Sequence, residues 1–139
     1  MKVFTIGHSN RTIEEFLEIL KKFKIKRVID VRRFPSSKKF PWFNKENLKN
    51  YLEKEGIEYI HFEKLGGYRK EGYENFTKTE EFKNAIKELI NSLNENTAIM
   101  CSEKFWFKCH RRFISKELIK NSFEVIHIID KESVYKQKL

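Results

Sequence analysis

Four short segments hold the side chains best suited to chemistry. Gly7-His8-Ser9-Asn10 sets an imidazole beside a hydroxyl. Asp30-Val31-Arg32-Arg33 alternates a carboxylate with guanidinium groups. Leu65-Gly66-Gly67-Tyr68-Arg69 joins a glycine pair to an aromatic ring and a cation. Cys101-Ser102-Glu103 precedes Cys109-His110-Arg111, so two thiols, a carboxylate, an imidazole and a guanidinium lie within one short stretch. His8 can serve as an acid, a base or a phosphate contact, or as a structural His in a turn. Asp30 and Arg32 alternate along an extended run and so point the same way. Asp30 can then act as a general base or orient His8, while Arg32 binds an anion; an internal ion pair is the equal alternative. The paired glycines, Gly66 and Gly67, free the backbone to approach a ligand or simply to turn.

The richest cluster supports several chemistries. A metal site from Cys101, Cys109, His110 and Glu103 does not match common zinc spacings. No resident metal or cofactor is therefore expected. Thiolate catalysis by Cys101 lacks the Cys-x5-Arg signature, because Phe107 stands where the arginine would be. Cys109, near a helix start, is a candidate for a lowered pKa. The favoured reading gives the chemistry to Glu103, with His110 and Arg111 binding an anion at the helix N-terminus and both cysteines mainly structural. Phe105-Trp106-Phe107 cannot easily all face inward, so Trp106 is a candidate for a pocket wall that suits a planar base. The motifs Gly-x-Gly-x-x-Gly, His-Glu-x-x-His, Cys-x-x-Cys and the P-loop are absent.

These segments need a scaffold, and the hydrophobic pattern supplies one. Val3–Ile6, Arg27–Val31, Ile57–Phe62, Thr97–Cys101 and Val125–Ile129 read as strands. Helices are predicted over about Ile13–Phe23, Asn44–Glu55, Glu80–Asn94 and Cys109–Asn121. Thr12 and Glu15 fit a capping box, Asn44 and Thr79 fit N-caps, and Gly56 fits a helix stop. Lys131–Leu139 reads as a polar, frayed tail. Strict alternation of strand and helix predicts one α/β domain over residues 1–139. Its form is a three-layer sandwich, with a mostly parallel five-stranded sheet and helices on both faces. In such sheets ligands sit beyond the carboxyl ends of the strands, which is where all four polar segments fall.

The segments Thr5-Ile-Gly-His-Ser9, Asp30-Val-Arg32, Arg33-Phe-Pro35, Leu65-Gly-Gly67, Cys101-Ser-Glu103 and Cys109-His-Arg111 together resemble the domain-of-unknown-function family 488 (DUF488). The resemblance runs from Thr5 to about Asp130. It implies a compact α/β fold and brings no established activity with it.

Composition narrows the function classes. Thirteen Phe, five Tyr and two Trp supply enough apolar surface for a core, which argues against disorder. No run approaches the roughly 18 apolar residues of a membrane span. Met1–Ile6 reads as a strand rather than a secretion signal. Two cysteines exclude a disulfide scaffold, and reduced thiols in the cytoplasm are expected. Lys and Arg total 29 against 20 Asp and Glu, a net +9. That excess fits a nucleic-acid or nucleotide partner as well as a compositional bias. Three functions follow. The first is a metal-independent enzyme acting on nucleic acid or nucleotides by hydrolysis of a base–sugar bond. Its catalytic groups are Glu103, Asp30 and His8. Ser9, Arg32, Gly66, Gly67, Arg69, Cys101, Trp106, His110 and Arg111 would bind substrate. The second is a non-catalytic nucleic-acid-binding module. The third is a small-molecule enzyme using a cysteine nucleophile or a bound metal.

Overall fold

A computed structural model describes residues 1–138. The strands are β1 (Lys2–Gly7), β2 (Arg27–Asp30), β3 (Glu58–His61), β4 (Thr97–Cys101), β5 (Glu124–Asp130) and β6 (Ser133–Gln137). The helices are α1 (Ile13–Lys22), α2 (Lys45–Lys54), the short α3 (Tyr73–Phe76), α4 (Glu80–Ser92) and α5 (Arg111–Lys120). One sheet runs in the order β3-β2-β4-β1-β5-β6. The first five strands are mutually parallel, and β6 is antiparallel to β5.

Each face of the sheet has its own core. Phe4, Ile6, Val28, Ala98 and Met100 pack under α1 and α2, against Phe16, Leu20, Leu48 and Leu52. The alternate residues Val3, Ile29, Ile99 and Val125 pack under α4 and α5, against Phe82, Leu89, Ile114 and Leu118. This period-two division along strands buried on both sides is what a covered parallel sheet requires. The capping box of α1 is present, with Glu15 N donating to Thr12 Oγ1 and Thr12 N donating to Glu15 Oε1. Thr79 caps α4 by accepting from Phe82 N at 3.1 Å.

Three local expectations need correction. The C-terminal tail is not frayed over Ser133–Gln137, since it forms β6, the sixth strand. An edge strand packs little surface, so its polar composition (Ser-Val-Tyr-Lys-Gln) hid it. Asn44 does not cap α2 through its side chain; Oδ1 instead accepts from Ser37 N and closes the loop before the helix. Finally, α5 begins at Arg111 rather than Cys109. Cys109 has extended backbone (φ −139°, ψ 178°) and stands just outside the helix.

The connections open a crevice. β1 leads to α1 and β2 to α2 on one face, while β4, which lies between them, leads to α5 on the other. Loops leaving neighbouring strands toward opposite faces part at the strand ends, which creates a topological switch point.

Candidate functional site

A cleft of about 580 Å³ occupies that crevice. The turn after β1 is sewn to the end of β4, with His8 N donating to Cys101 O and Ser9 N to Ser102 O, each at 2.9 Å. Gly7 is required at this seam. A Cβ there would lie 1.7 Å from Glu103 O, a backbone atom that cannot step aside. Arg11 braces the turn from beneath, donating Nη1 to Gly7 O at 2.9 Å and Nη2 to Ile129 O.

His8, Ser9 and Arg32 lie on the cleft wall with Gly67, Cys101, Glu103 and His110, as the strand-end argument expects. Their chemistry differs in kind. His8 is buried and stacks on Phe43, with ring centroids 4.3 Å apart. Its Nδ1 donates to Ser9 O at 2.9 Å, leaving Nε2 to accept from Arg32 Nη1 at 3.4 Å. Burial pushes its pKa down to about 4, and the Arg32 charge adds to the effect, so the ring is neutral at pH 7. His110 donates Nε2 to Val31 O at 2.8 Å, and burial lowers its pKa as well. Both imidazoles are therefore neutral, and each has one ring nitrogen that is not donating. Glu103 is exposed and forms no side-chain ion pair among the described residues. Among the described residues it is the one carboxylate on the wall.

Other expected residues lie elsewhere. Asp30 is fully buried behind the wall. It accepts from Arg32 N, Nε and Nη2 and from the Tyr59 hydroxyl. Of its two readings the geometry selects the internal ion pair, with Arg32 Nη2 2.7 Å from Oδ2. Gly66 packs against the Arg33 backbone, where a Cβ would come within 2.6 Å of Arg33 Cα. Its small size thus serves a chain crossing rather than a ligand. Arg69 turns away, donating to Gly66 O and Lys64 O and covering the Phe76 ring at 3.9 Å. Trp106 stacks on His127, with centroids 4.3 Å apart, and beyond it on Tyr135 of β6. Arg111 is wholly buried and points back under the strand ends to Thr5 Oγ1, Glu103 O, Lys104 O and Cys109 Sγ. As the first residue of α5 it turns its side chain inward, a direction that residue type alone does not reveal.

Several lining residues were not among the expected substrate-binding residues, although the sequence offered Tyr68 as a stacking ring and Arg33 and Phe34 as part of a basic, aromatic stretch. Arg33 and Lys104 add cations to the wall, and Ser36, Ser37 and Ser102 add hydroxyls. Phe34 and Tyr68 are 64% and 83% exposed, with ring centroids 5.9 Å apart at the lip. Two large exposed rings side by side on a cationic rim are unusual for a surface without a ligand. The signal was present in the basic, aromatic stretch Arg32–Phe43, yet nothing in it separated lip residues from core residues such as Phe43.

Among the described residues no three His, Cys, Asp or Glu side chains converge to hold a metal ion, and no helix is long and apolar enough to cross a membrane. In comparisons with known proteins, no curated protein and no solved structure matches the chain. A family model does match, over residues 12–118 of 139. That span takes in Asp30, Arg32, Glu103 and Cys109-His110-Arg111 and leaves out His8. The matched family is described as a domain of unknown function, and the chain belongs to this family, DUF488.

Proposed function

We propose that the cleft binds a nucleotide unit, within nucleic acid or free, and that Glu103 acts at its base–sugar bond. The observation that carries this reading is Glu103 itself. It is an unpaired carboxylate on a wall whose other charged side chains, Arg32, Arg33 and Lys104, are cations. Arg33, which faces no carboxylate among the described residues, suits phosphate oxygens, whereas Arg32 is held by Asp30 and Lys104 lies 3.5 Å from Asp130. Phe34 and Tyr68 at the lip suit a stacked base, since every base presents a π-face. Cleavage of the bond leaves positive charge on the sugar, which a nearby carboxylate stabilises while it orients the attacking water. The base departs with the bonding electrons and takes up a proton. Asp30 has no part in this step, because its oxygens are occupied by Arg32 and Tyr59.

The test is a titration with labelled single- and double-stranded DNA and RNA over a salt series, followed by alkaline heating to break strands at base-free sites. Binding that falls steeply with salt and alkali-dependent breaks that vanish in Glu103→Gln are the expected results. Binding without breaks in the parent chain would make this a non-catalytic module. Absence of binding near physiological salt would remove nucleic acid as the ligand.

A further inference from the structure

Arg111 is a wholly buried arginine, and among the described residues none of its acceptors is a carboxylate. A buried cation without an anion costs several kcal/mol, so a partner is required. The atom placed to supply the charge is Cys109 Sγ. It receives Arg111 Nε at 3.3 Å and Arg111 N, at the start of α5, at 3.4 Å. It also lies 3.0 Å from Cys101 Sγ. Three donors around one sulfur stabilise a thiolate. Donation from Cys101 lowers the Cys109 pKa most, and the Arg111 charge lowers it further. Cys101 is the converse: burial and its role as donor push its pKa up. Cys109 is partly exposed and borders the cleft, whereas Cys101 is 2% exposed on the central strand β4.

We propose that Cys109 and Cys101 form a thiol–disulfide centre, in which Cys109 attacks small peroxides and Cys101 resolves the product. The Cys109 thiolate attacks one oxygen of hydrogen peroxide. The O–O bond breaks, a sulfenic acid forms on Cys109, and hydroxide leaves. Hydroxide takes the Cys101 proton and becomes water. The Cys101 thiolate then attacks the Cys109 sulfur, forms the disulfide and expels a second hydroxide. Two thiol sulfurs are oxidised by two electrons and one peroxide is reduced. The sulfurs must close from 3.0 Å to a bond of about 2 Å. The movement falls to Cys109, in the extended link before α5, rather than to the strand. Oxidation strips Arg111 of its anion, so the reduced state is the favoured one and a monothiol restores it readily. The centre is independent of any nucleotide chemistry at Glu103.

The test treats the folded full chain with one equivalent of hydrogen peroxide, then counts thiols by alkylation and intact mass. The parent chain should lose about 2 Da and both alkylatable thiols, and regain them with glutathione. Cys101→Ser should gain about 16 Da on Cys109 and react with a sulfenic-acid-selective dione. Cys109→Ser should stay unmodified over the time in which the parent chain reacts fully. Retention of both thiols in the parent chain would overturn the proposal, and so would oxidation of Cys109→Ser at the parent rate. If a serine variant fails to fold, peptide-mapped alkylation of the parent chain with iodoacetamide at about pH 6 decides the matter. Cys109 should be labelled first, and labelling of Cys101 first would overturn the proposal.

Discussion

Two buried arginines lie near the carboxyl end of β4, Arg32 on the cleft wall and Arg111 beneath the strand ends, and they are neutralised in different ways. Arg32, 5% exposed, is held by Asp30 through Nε and Nη2, while the Tyr59 hydroxyl satisfies the same carboxylate. His61 fixes the Arg32 carbonyl by donating Nε2 at 2.7 Å. Arg111 has backbone carbonyls, a threonine hydroxyl and a sulfur instead. Each nest also holds a neutral histidine. His8 accepts from Arg32, and His127 accepts from Thr5, whose oxygen in turn accepts from Arg111. A carboxylate anion is permanent at neutral pH, but a thiolate can be protonated, alkylated or oxidised. The difference separates a nest that positions a side chain from one whose charge state is open to chemistry.

The largest effect is expected where the permanent anion is removed. Asp30→Asn keeps the shape, strands Arg32 without charge compensation and misaligns the Tyr59 bond. The expected loss is about 3–5 kcal/mol of unfolding free energy, read from denaturant midpoints at constant slope. Adding Arg32→Met should recover part of it. Full stability in Asp30→Asn alone would mean that the ion pair does not support the fold.

Acid comes next, because it strikes both nests. Burial pushes His8 and His127 down to about 4, whereas the unfolded chain takes up these protons near 6.5. The unfolded state therefore binds more protons between those values. The contribution of each neutral ring is complete above about pH 6.5 and is lost as pH falls to about 4, on the order of 3 kcal/mol per ring. Thermal melts over that range should fall steeply in the parent chain and less so in His8→Gln or His127→Gln. Equal slopes in all three would contradict the neutral-histidine assignment.

How much of this was legible follows from what each signal depends on. The capping box at Thr12–Glu15, the five parallel strands and the gathering of polar segments at their ends were readable, since local period and turn chemistry specify them. Side-chain direction was not. Arg111, at the opening of α5, and Arg69, after Gly67, look like anion ligands in the sequence, yet one turns inward and the other lies on Phe76. Trp106 could not be placed because its partner Tyr135 belongs to β6, a strand without an apolar period. His127 was hidden for a related reason. Its Nε2 is satisfied by Gln137 at 2.7 Å, across the same hairpin.

A smaller effect should distinguish the two thiols. Cys109→Ser replaces the thiolate by a neutral hydroxyl and leaves Arg111 without an anion but with its threonine and carbonyl acceptors, at an expected cost of about 3 kcal/mol. Because the folded pKa of Cys109 is depressed, mainly by the Cys101 hydrogen bond, its contribution is complete above the unfolded value near 8.5. It is lost as pH falls through the folded value. The stability gap between the parent chain and Cys109→Ser should therefore narrow on acidification. A gap independent of pH would assign the loss to packing.

The smallest stability change is expected at Glu103, and its smallness is the point. Asp30 ends β2 and Glu103 lies two residues past the end of the neighbouring β4, and only Asp30 is enclosed. Glu103 has no ion pair to break, so Glu103→Gln should alter unfolding free energy by less than about 0.5 kcal/mol. A carboxylate that contributes nothing to the fold, yet stands exposed at the switch point of the sheet, is what the proposed function requires of Glu103. A loss of stability as large as that of Asp30→Asn would place Glu103 in the scaffold and withdraw it from the chemistry. An unchanged melt together with lost turnover would separate the two carboxylates by role, one holding Arg32 and the other acting in the cleft.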